Sequence, residues 1–210
     1  MESDKCFGRD VSTNSNPPEK PSKRSGTDFF YEVWWPLTSW TIGLRPLHMW
    51  DVGRRARIQK GEHVLELGAG YPLWRIYSGR VGKEGLFIAL DSNETISKRS
   101  KTITRFLNLD RNRPSEQITI ADADKLPFQD NSIDVVIASN LTASHLAYEE
   151  AFRVLKPNGR LINANLDWDN ESLLKKIGFV NVEKKKGTLF LFVPNIFCLA
   201  SKPSPKDTLK

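Results

Sequence analysis

At 210 residues and 39% apolar content, the chain holds enough hydrophobic material for one core, with polar segments to spare at its ends. Its formal charge of +6 and pI near 9.3 admit anionic partners, but the basic residues are spread over tails and helix faces. Two cysteines, Cys6 and Cys198, are too few for a disulfide framework or a metal cluster, so no metal is expected and a reducing compartment fits.

Residues 1–27, including "STNSNPPEKPSKRSG", lack apolar periodicity and read as a disordered tail. Glu2, Asp4 and Asp10 in this stretch argue against a signal or transit peptide, so a cytoplasmic location is expected, and the sequons at Asn93, Asn140 and Asn170 carry no weight. The segment from 28 to 58 is aromatic and apolar with a basic end, and holds Trp34, Trp35, Trp40 and Trp50. It reads as an N-terminal cap over an acceptor pocket, as an interfacial membrane contact through 29–57, or as plain cover for a sheet. The longest apolar runs, "FFYEVWWPL" and "TLFLFVPNIFCLA", fall short of the ~20 residues of a membrane span. The domain is expected to run over 28–201, followed by a second tail at 202–210.

Beyond the cap, β-rich apolar runs alternate with helix-period segments. "HVLELG" is the first strand, "YPLWRIYSGRVG" a helix, "LFIALD" the second strand and "ETISKRSKTITRFLNL" an amphipathic helix. "QITIAD" and "IDVVIAS" are the third and fourth strands, "EEAFRVLK" a short helix and "GRLINAN" the fifth strand. "ESLLKKIGF" follows as a helix, with "VNVEKKKG" and "TLFLFVPNIFCLAS" as closing strands. Apolar central strands interleaved with helices predict an α/β fold with a parallel sheet covered on both faces.

The turn after the first strand reads Gly68-x-Gly70-x-x-Leu73, with Pro72 at the start of the next helix. Glycines in a strand-turn-helix unit let backbone N–H groups approach a ligand, and the helix presents its positive end. The third small residue of the dinucleotide fingerprint is missing, which argues against a nicotinamide oxidoreductase, and a ligand-free tight turn also fits. Glu66 near the strand end calls for a donor or cation, pointing to a positively charged ligand. Asp91, about twenty residues on at the end of the second strand, is placed to accept ribose hydroxyls or to act as a helix N-terminal acid. Asp122 in "DADKLPF" is a candidate acceptor for an exocyclic amine, or part of a solvated turn.

The segments "VLELGAG", "ALDSN", "ADADKLPFQDNSIDVVIAS" and "FRVLKPNGRLI", in this order, resemble the class I S-adenosylmethionine-dependent methyltransferases, especially the ubiquinone and sterol C-methyltransferase branch. The resemblance covers about residues 60–165. It implies a Rossmann-like, seven-stranded, mostly parallel sheet with the last strand antiparallel, and S-adenosylmethionine as cofactor. It places Glu66, Gly68 and Gly70 around the methionine and ribose, and Asp91 with neighbouring Ser92 at the ribose. Asp122 and Ala123 fall at the adenine, and Asn140 faces the methionine end. Pro72 and Leu73 stand where the family carries small residues.

A sulfonium donor suits carboxylates and aromatic faces, and in-line transfer asks mainly for alignment and desolvation. A base is needed only where the acceptor holds a proton. His145 is placed for that role or for a purely structural one, and Tyr31 and Asp167 are further candidates. The absence of an Asn-Pro-Pro-aromatic run after the fourth strand argues against DNA and amide substrates. The expected acceptor is small and apolar or lipid-like, lined by Tyr31, Trp34 and Trp35. The alternatives are a protein or RNA methyltransferase, supported by charge alone, and a catalytically silent partner subunit; nothing resembles a nucleic-acid platform.

Overall fold

The computed structural model describes residues 44–70, 72–106, 116–138, 144–164, 170–187 and 196–206. Tyr31, Trp34, Trp35, Trp40, Asn140 and Asp167 lie outside the described residues. Seven strands form one sheet: β1 (His63–Leu67), β2 (Leu86–Asp91), β3 (Glu116–Ile120), β4 (Ile133–Ala138), β5 (Leu155–Asn163), β6 (Val180–Lys186) and β7 (Ile196–Ser201). Their order is β3-β2-β1-β4-β5-β7-β6. The β3-β2-β1-β4-β5 run is parallel throughout, and β7 is antiparallel to both its neighbours. The Rossmann-like architecture expected from the sequence is therefore present.

Among the described residues the α-helices are α1 (Leu44–Ala56), α2 (Arg75–Ser78), α3 (Glu94–Phe106), α4 (His145–Val154) and α5 (Glu171–Ile177). Period-2 alternation divides the strands between two cores. Val64, Phe87, Ala89, Val135, Ile137 and Ile162 pack with Met49, Val52 and Ala56 of α1 and with Trp74 and Tyr77. Leu65, Leu67, Ile88, Leu90, Val136 and Leu161 face the other way, against Tyr148, Ala151 and Val154 of α4 and Leu174 of α5. Both faces are covered, which is why the central strands carry so few polar residues.

The helix expected over 71–82 is broken into a 3₁₀ turn (Pro72–Trp74), one α turn and a second 3₁₀ turn (Gly79–Val81). Pro72 starts the first turn, where its missing N–H costs nothing. The segment is held by side chains: Arg75 meets Glu116 of β3 at 2.6 Å in a buried ion pair, and the Ser78 hydroxyl donates to the same carboxylate. Gly53 of α1 lies against Tyr77 so closely that a Cβ there would stand 2.3 Å from Tyr77 Cβ.

Two boundaries differ from expectation. The fourth helix starts at His145, because Ser144 caps it by accepting from the Ala147 N–H at 3.3 Å. It ends at Val154, and β5 begins at once, buckling over Lys156–Gly159 before pairing Arg160 with Val135. Lys202, placed by composition in the tail, is tied to the body. Its backbone bonds Gly159 and Asn158, and its ammonium donates to Phe152 and Arg153 carbonyls at 2.9 and 3.3 Å. A cation there complements the carboxyl end of α4.

For residues 44–56 the plain-cover reading of the aromatic segment fits. Met49, Val52 and Ala56 are buried on the sheet, and His48 stacks on Phe197 of β7 at 5.6 Å between centroids. The last turn of α1 lies at the amino end of the strands, where Arg160 donates to the carbonyls of Ala56 and Arg57 at 3.3 Å each. Among the described residues, no helix is long and apolar enough to cross a membrane.

Candidate active site

The strand order reverses between β1 and β4, and parallel sheets open a crevice at the carboxyl ends of the strands beside such a switch. A cavity of about 290 Å³ lies there. Gly68, Leu90, Asp91 and Ser92 form one side of it, from the ends of β1 and β2. Ala121, Asp122, Ala123 and Asp124, from the loop after β3, form another, and Ser144 and Ala147 of α4 close it.

The turn after β1 works as the glycine spacing requires. Gly68 and Gly70 have φ of 71° and 56°, a region open to glycine at little cost. The Ala69 N–H donates to the Leu90 carbonyl at 3.0 Å, which stitches the turn to β2. The Gly70 N–H donates to Asp91 Oδ2 at 2.9 Å, and the Ser100 hydroxyl to the Gly70 carbonyl at 2.6 Å. Asp91 Oδ1 accepts the Asn93 N–H at 2.8 Å, so the helix-capping alternative gives way to a local turn. A carboxylate offers about four lone-pair positions, and these two bonds aim Asp91 while leaving both oxygens able to accept more.

The loop after β3 is organised in the same way. Asp122 Oδ1 accepts the Asp124 N–H at 3.0 Å, and the Asp122 carbonyl accepts the Lys125 N–H at 3.2 Å. The Ser144 hydroxyl donates to Asp124 Oδ1, joining this loop to the start of α4. Three carboxylates, Asp91, Asp122 and Asp124, thus line the cavity, and among the described residues no Lys or Arg does. Such a lining favours hydroxyl and amine donors and a cationic ligand, and disfavours a pyrophosphate.

Of the residues singled out from sequence, Gly68, Asp91, Ser92, Asp122 and Ala123 are brought together at the cavity. Gly70 stands behind Asp91 as its donor. Glu66, expected beside the ligand, is fully buried on the α1 and α2 face and is not among the lining residues. Its Oε2 accepts the Tyr77 hydroxyl at 2.5 Å. Burial, with the Glu66 charge beside it, pushes the Tyr77 phenol well above its ordinary range. His145 opens α4 beside Ser144, half exposed, with Nδ1 at 3.2 Å from Glu149 Oε1. Asp124 and Ser144 were missed. The signal for Ser144 was a capping residue before "HLAYEEAF", which would also have set the helix start.

Comparison with known proteins agrees with this geometry. The model of the family described as "Methyltransferase domain" matches residues 58–195. The ubiquinone/menaquinone biosynthesis C-methyltransferase UbiE of Neisseria meningitidis is 37% identical over 112 residues, 51% of this chain and 44% of that protein. UbiE of Cronobacter sakazakii is 34% identical over 110 residues, 50% of this chain and 43% of its own length. The chain therefore spans less than half the length of these curated relatives. In fold it is similar to the crystal structure of a SAM-dependent methyltransferase from Aquifex aeolicus, with a TM-score of 0.60, 19% identity, and coverage of 74% of this chain and 91% of that one. The chain belongs to the methyltransferase domain family, as a class I S-adenosylmethionine-dependent methyltransferase.

Proposed function

We propose that the cavity holds S-adenosylmethionine and that the chain methylates a small, apolar, quinone-like acceptor. The observation that carries this reading is the carboxylate-lined cavity at the ends of β1, β2 and β3, which among the described residues no Lys or Arg lines. The residues present fit the cofactor: Asp91 keeps acceptor capacity on both oxygens for a pair of ribose hydroxyls, and Gly68 leaves its backbone bare for close approach. Ser92 would hold the ribose edge, Asp122 would accept a hydrogen bond from the adenine amine, and Ala123 would contact the ring. Asn140, two residues after β4 in the sequence, is the assigned contact for the methionine end by resemblance to the family. Gly70 orients Asp91, and Glu66 ties β1 to α2 through Tyr77.

The bound cofactor supplies an electrophilic methyl on a sulfonium, which passes in line to the acceptor. The chain's own residues align the two partners and exclude water. Where the acceptor must lose a proton, His145 takes it at Nε2, with Glu149 holding the proton on Nδ1. Tyr31, Trp34 and Trp35 supply the apolar acceptor wall. The 34–37% identity to the two UbiE proteins supports the quinone class. Peripheral membrane contact suits such an acceptor. The exposed Leu47 and Trp50 of α1, with the Arg54 guanidinium 5.5 Å above the Trp50 ring, support it.

The test is to incubate the protein with methyl-labelled S-adenosylmethionine and a short-chain hydroquinone, and to locate the label by mass spectrometry. Label on a ring carbon is expected. Cofactor binding without any labelled quinone would reject the acceptor, and absence of cofactor binding would reject the assignment of the cavity.

A further inference from the structure

The loop that walls the cavity beside Asp91, whose carbonyl accepts the Ala121 N–H at 3.3 Å, is irregular over residues 121–132, so its backbone polar groups need partners from elsewhere. One face of α4 supplies several of them. The Leu126 N–H donates to Glu150 Oε2 at 2.7 Å. Arg153 donates to the Leu126 carbonyl at 3.0 Å and the Phe128 carbonyl at 2.9 Å. The same guanidinium meets Glu150 through Nε and Nη2 at 2.6 and 2.8 Å, and Asp130 at 2.6 Å. Its fixed fork of donors is thus divided between a carboxylate that itself holds the loop and two carbonyls of that loop. Glu150 and Arg153 are three apart and share a helix face. Neither lines the cavity.

An ordinary exposed ion pair contributes little. This one differs because its charge is directed at two backbone carbonyls of the cavity loop as well as at a carboxylate. Four residues before Leu126, on the same loop, stand Asp122 and then Ala123, both in the cavity wall.

We infer that Glu150 and Arg153 are positioning residues that fix residues 121–130 at the spacing where Asp122 and Ala123 distinguish the cofactor's 6-amino group. The inference rests on the assignment of S-adenosylmethionine to this cavity. A lysine at position 153 keeps the charge but offers a single point of donation, and so loses the simultaneous grip on two carbonyls and Glu150.

The experiment is calorimetric titration of the parent protein, Arg153→Lys and Glu150→Gln with S-adenosylhomocysteine and with S-inosylhomocysteine, in which a carbonyl replaces the 6-amino group. Thermal melts confirm folding, and Arg160→Lys serves as a control at the amino end of the sheet. The parent is expected to prefer the adenine form by about tenfold or more. In Arg153→Lys that preference falls to about threefold or less, and in Glu150→Gln it falls part of the way, while Arg160→Lys keeps it. Folded variants that bind more weakly to both analogues with the preference intact would overturn the inference and leave a structural role only. Should Arg153→Lys fail to fold, the ratio in Glu150→Gln decides alone. A parent that binds neither analogue, or both equally, overturns the cofactor or adenine assignment first, and the positioning role with it.

Discussion

The two ends of the sheet treat carboxylates in opposite ways. At the amino end, Glu62 meets Arg160 at 2.8 Å, and Asp134 meets Lys156 at 2.8 Å while accepting the His63 N–H at 2.9 Å. At the carboxyl end, Asp91, Asp122 and Asp124 accept from backbone N–H groups and one hydroxyl, and among the described residues none has a Lys or Arg partner. Neutralised acids hold a fold together, whereas aimed and un-neutralised ones keep a field for a ligand, at the expense of mutual repulsion. The same residue type therefore divides by location into structural and binding roles.

Glu66 tests where the division falls, because it lies on β1 between the two ends. If it is structural, Tyr77→Phe removes a donor from a buried carboxylate and lowers stability by about 3 kcal/mol, while affinity for S-adenosylmethionine stays within twofold. Denaturant melts and calorimetry check both halves; a large loss of affinity at unchanged stability would move Glu66 into the binding group. Asp134→Ala should behave similarly, losing about 2 kcal/mol of stability with no change in cofactor binding. Asp91→Ala is the mirror case: more than tenfold weaker cofactor binding, about 1.4 kcal/mol, with little change in melting temperature. Equal affinity there would erase the distinction between the ends.

Acid titration sharpens the comparison on the cavity loop. Hydrogen bonds from Arg153 hold the Glu150 carboxyl below its usual 4.5, outweighing the effect of burial. A carboxyl lowered in the folded state contributes stability that is complete above about pH 4.5 and is lost as pH falls through the lower, folded value. Glu150→Gln should flatten the fall in stability across that window, and an identical acid limb in the variant would deny the linkage. The smallest expected effect is at α1: Trp50→Ala with Arg54→Glu should weaken binding to anionic vesicles severalfold without changing turnover on a soluble acceptor. Unchanged sedimentation with vesicles would remove the membrane reading.

Much of this was legible in the chain itself. The strand β2 was read with its observed bounds, and β1 and β4 to within two residues, because apolar runs buried on both faces leave an unambiguous pattern; β3, half-buried at the sheet edge, was read as closely from its β-branched run. The glycine turn and Asp91 were found because positive φ restricts residue type and strand ends restrict place. What escaped depended on partners distant in sequence. The 3₁₀ breaks around α2 follow from Arg75 and Ser78 reaching Glu116, some forty residues away, and the early start of α4 brings Ser144 to Asp124.

Local periodicity and turn chemistry thus determined most of the elements and their order, since these rest on interactions within a few residues, while the family was legible only as a resemblance of motifs. Only the tertiary structure decided which acids are neutralised, that Glu66 belongs to Tyr77, and that α4 grips the cavity loop through Glu150 and Arg153. A carboxylate's role is set by the donors that the fold brings to it, and for Glu66, Glu150 and Glu62 these include donors eleven, twenty-four and ninety-eight residues away along the chain.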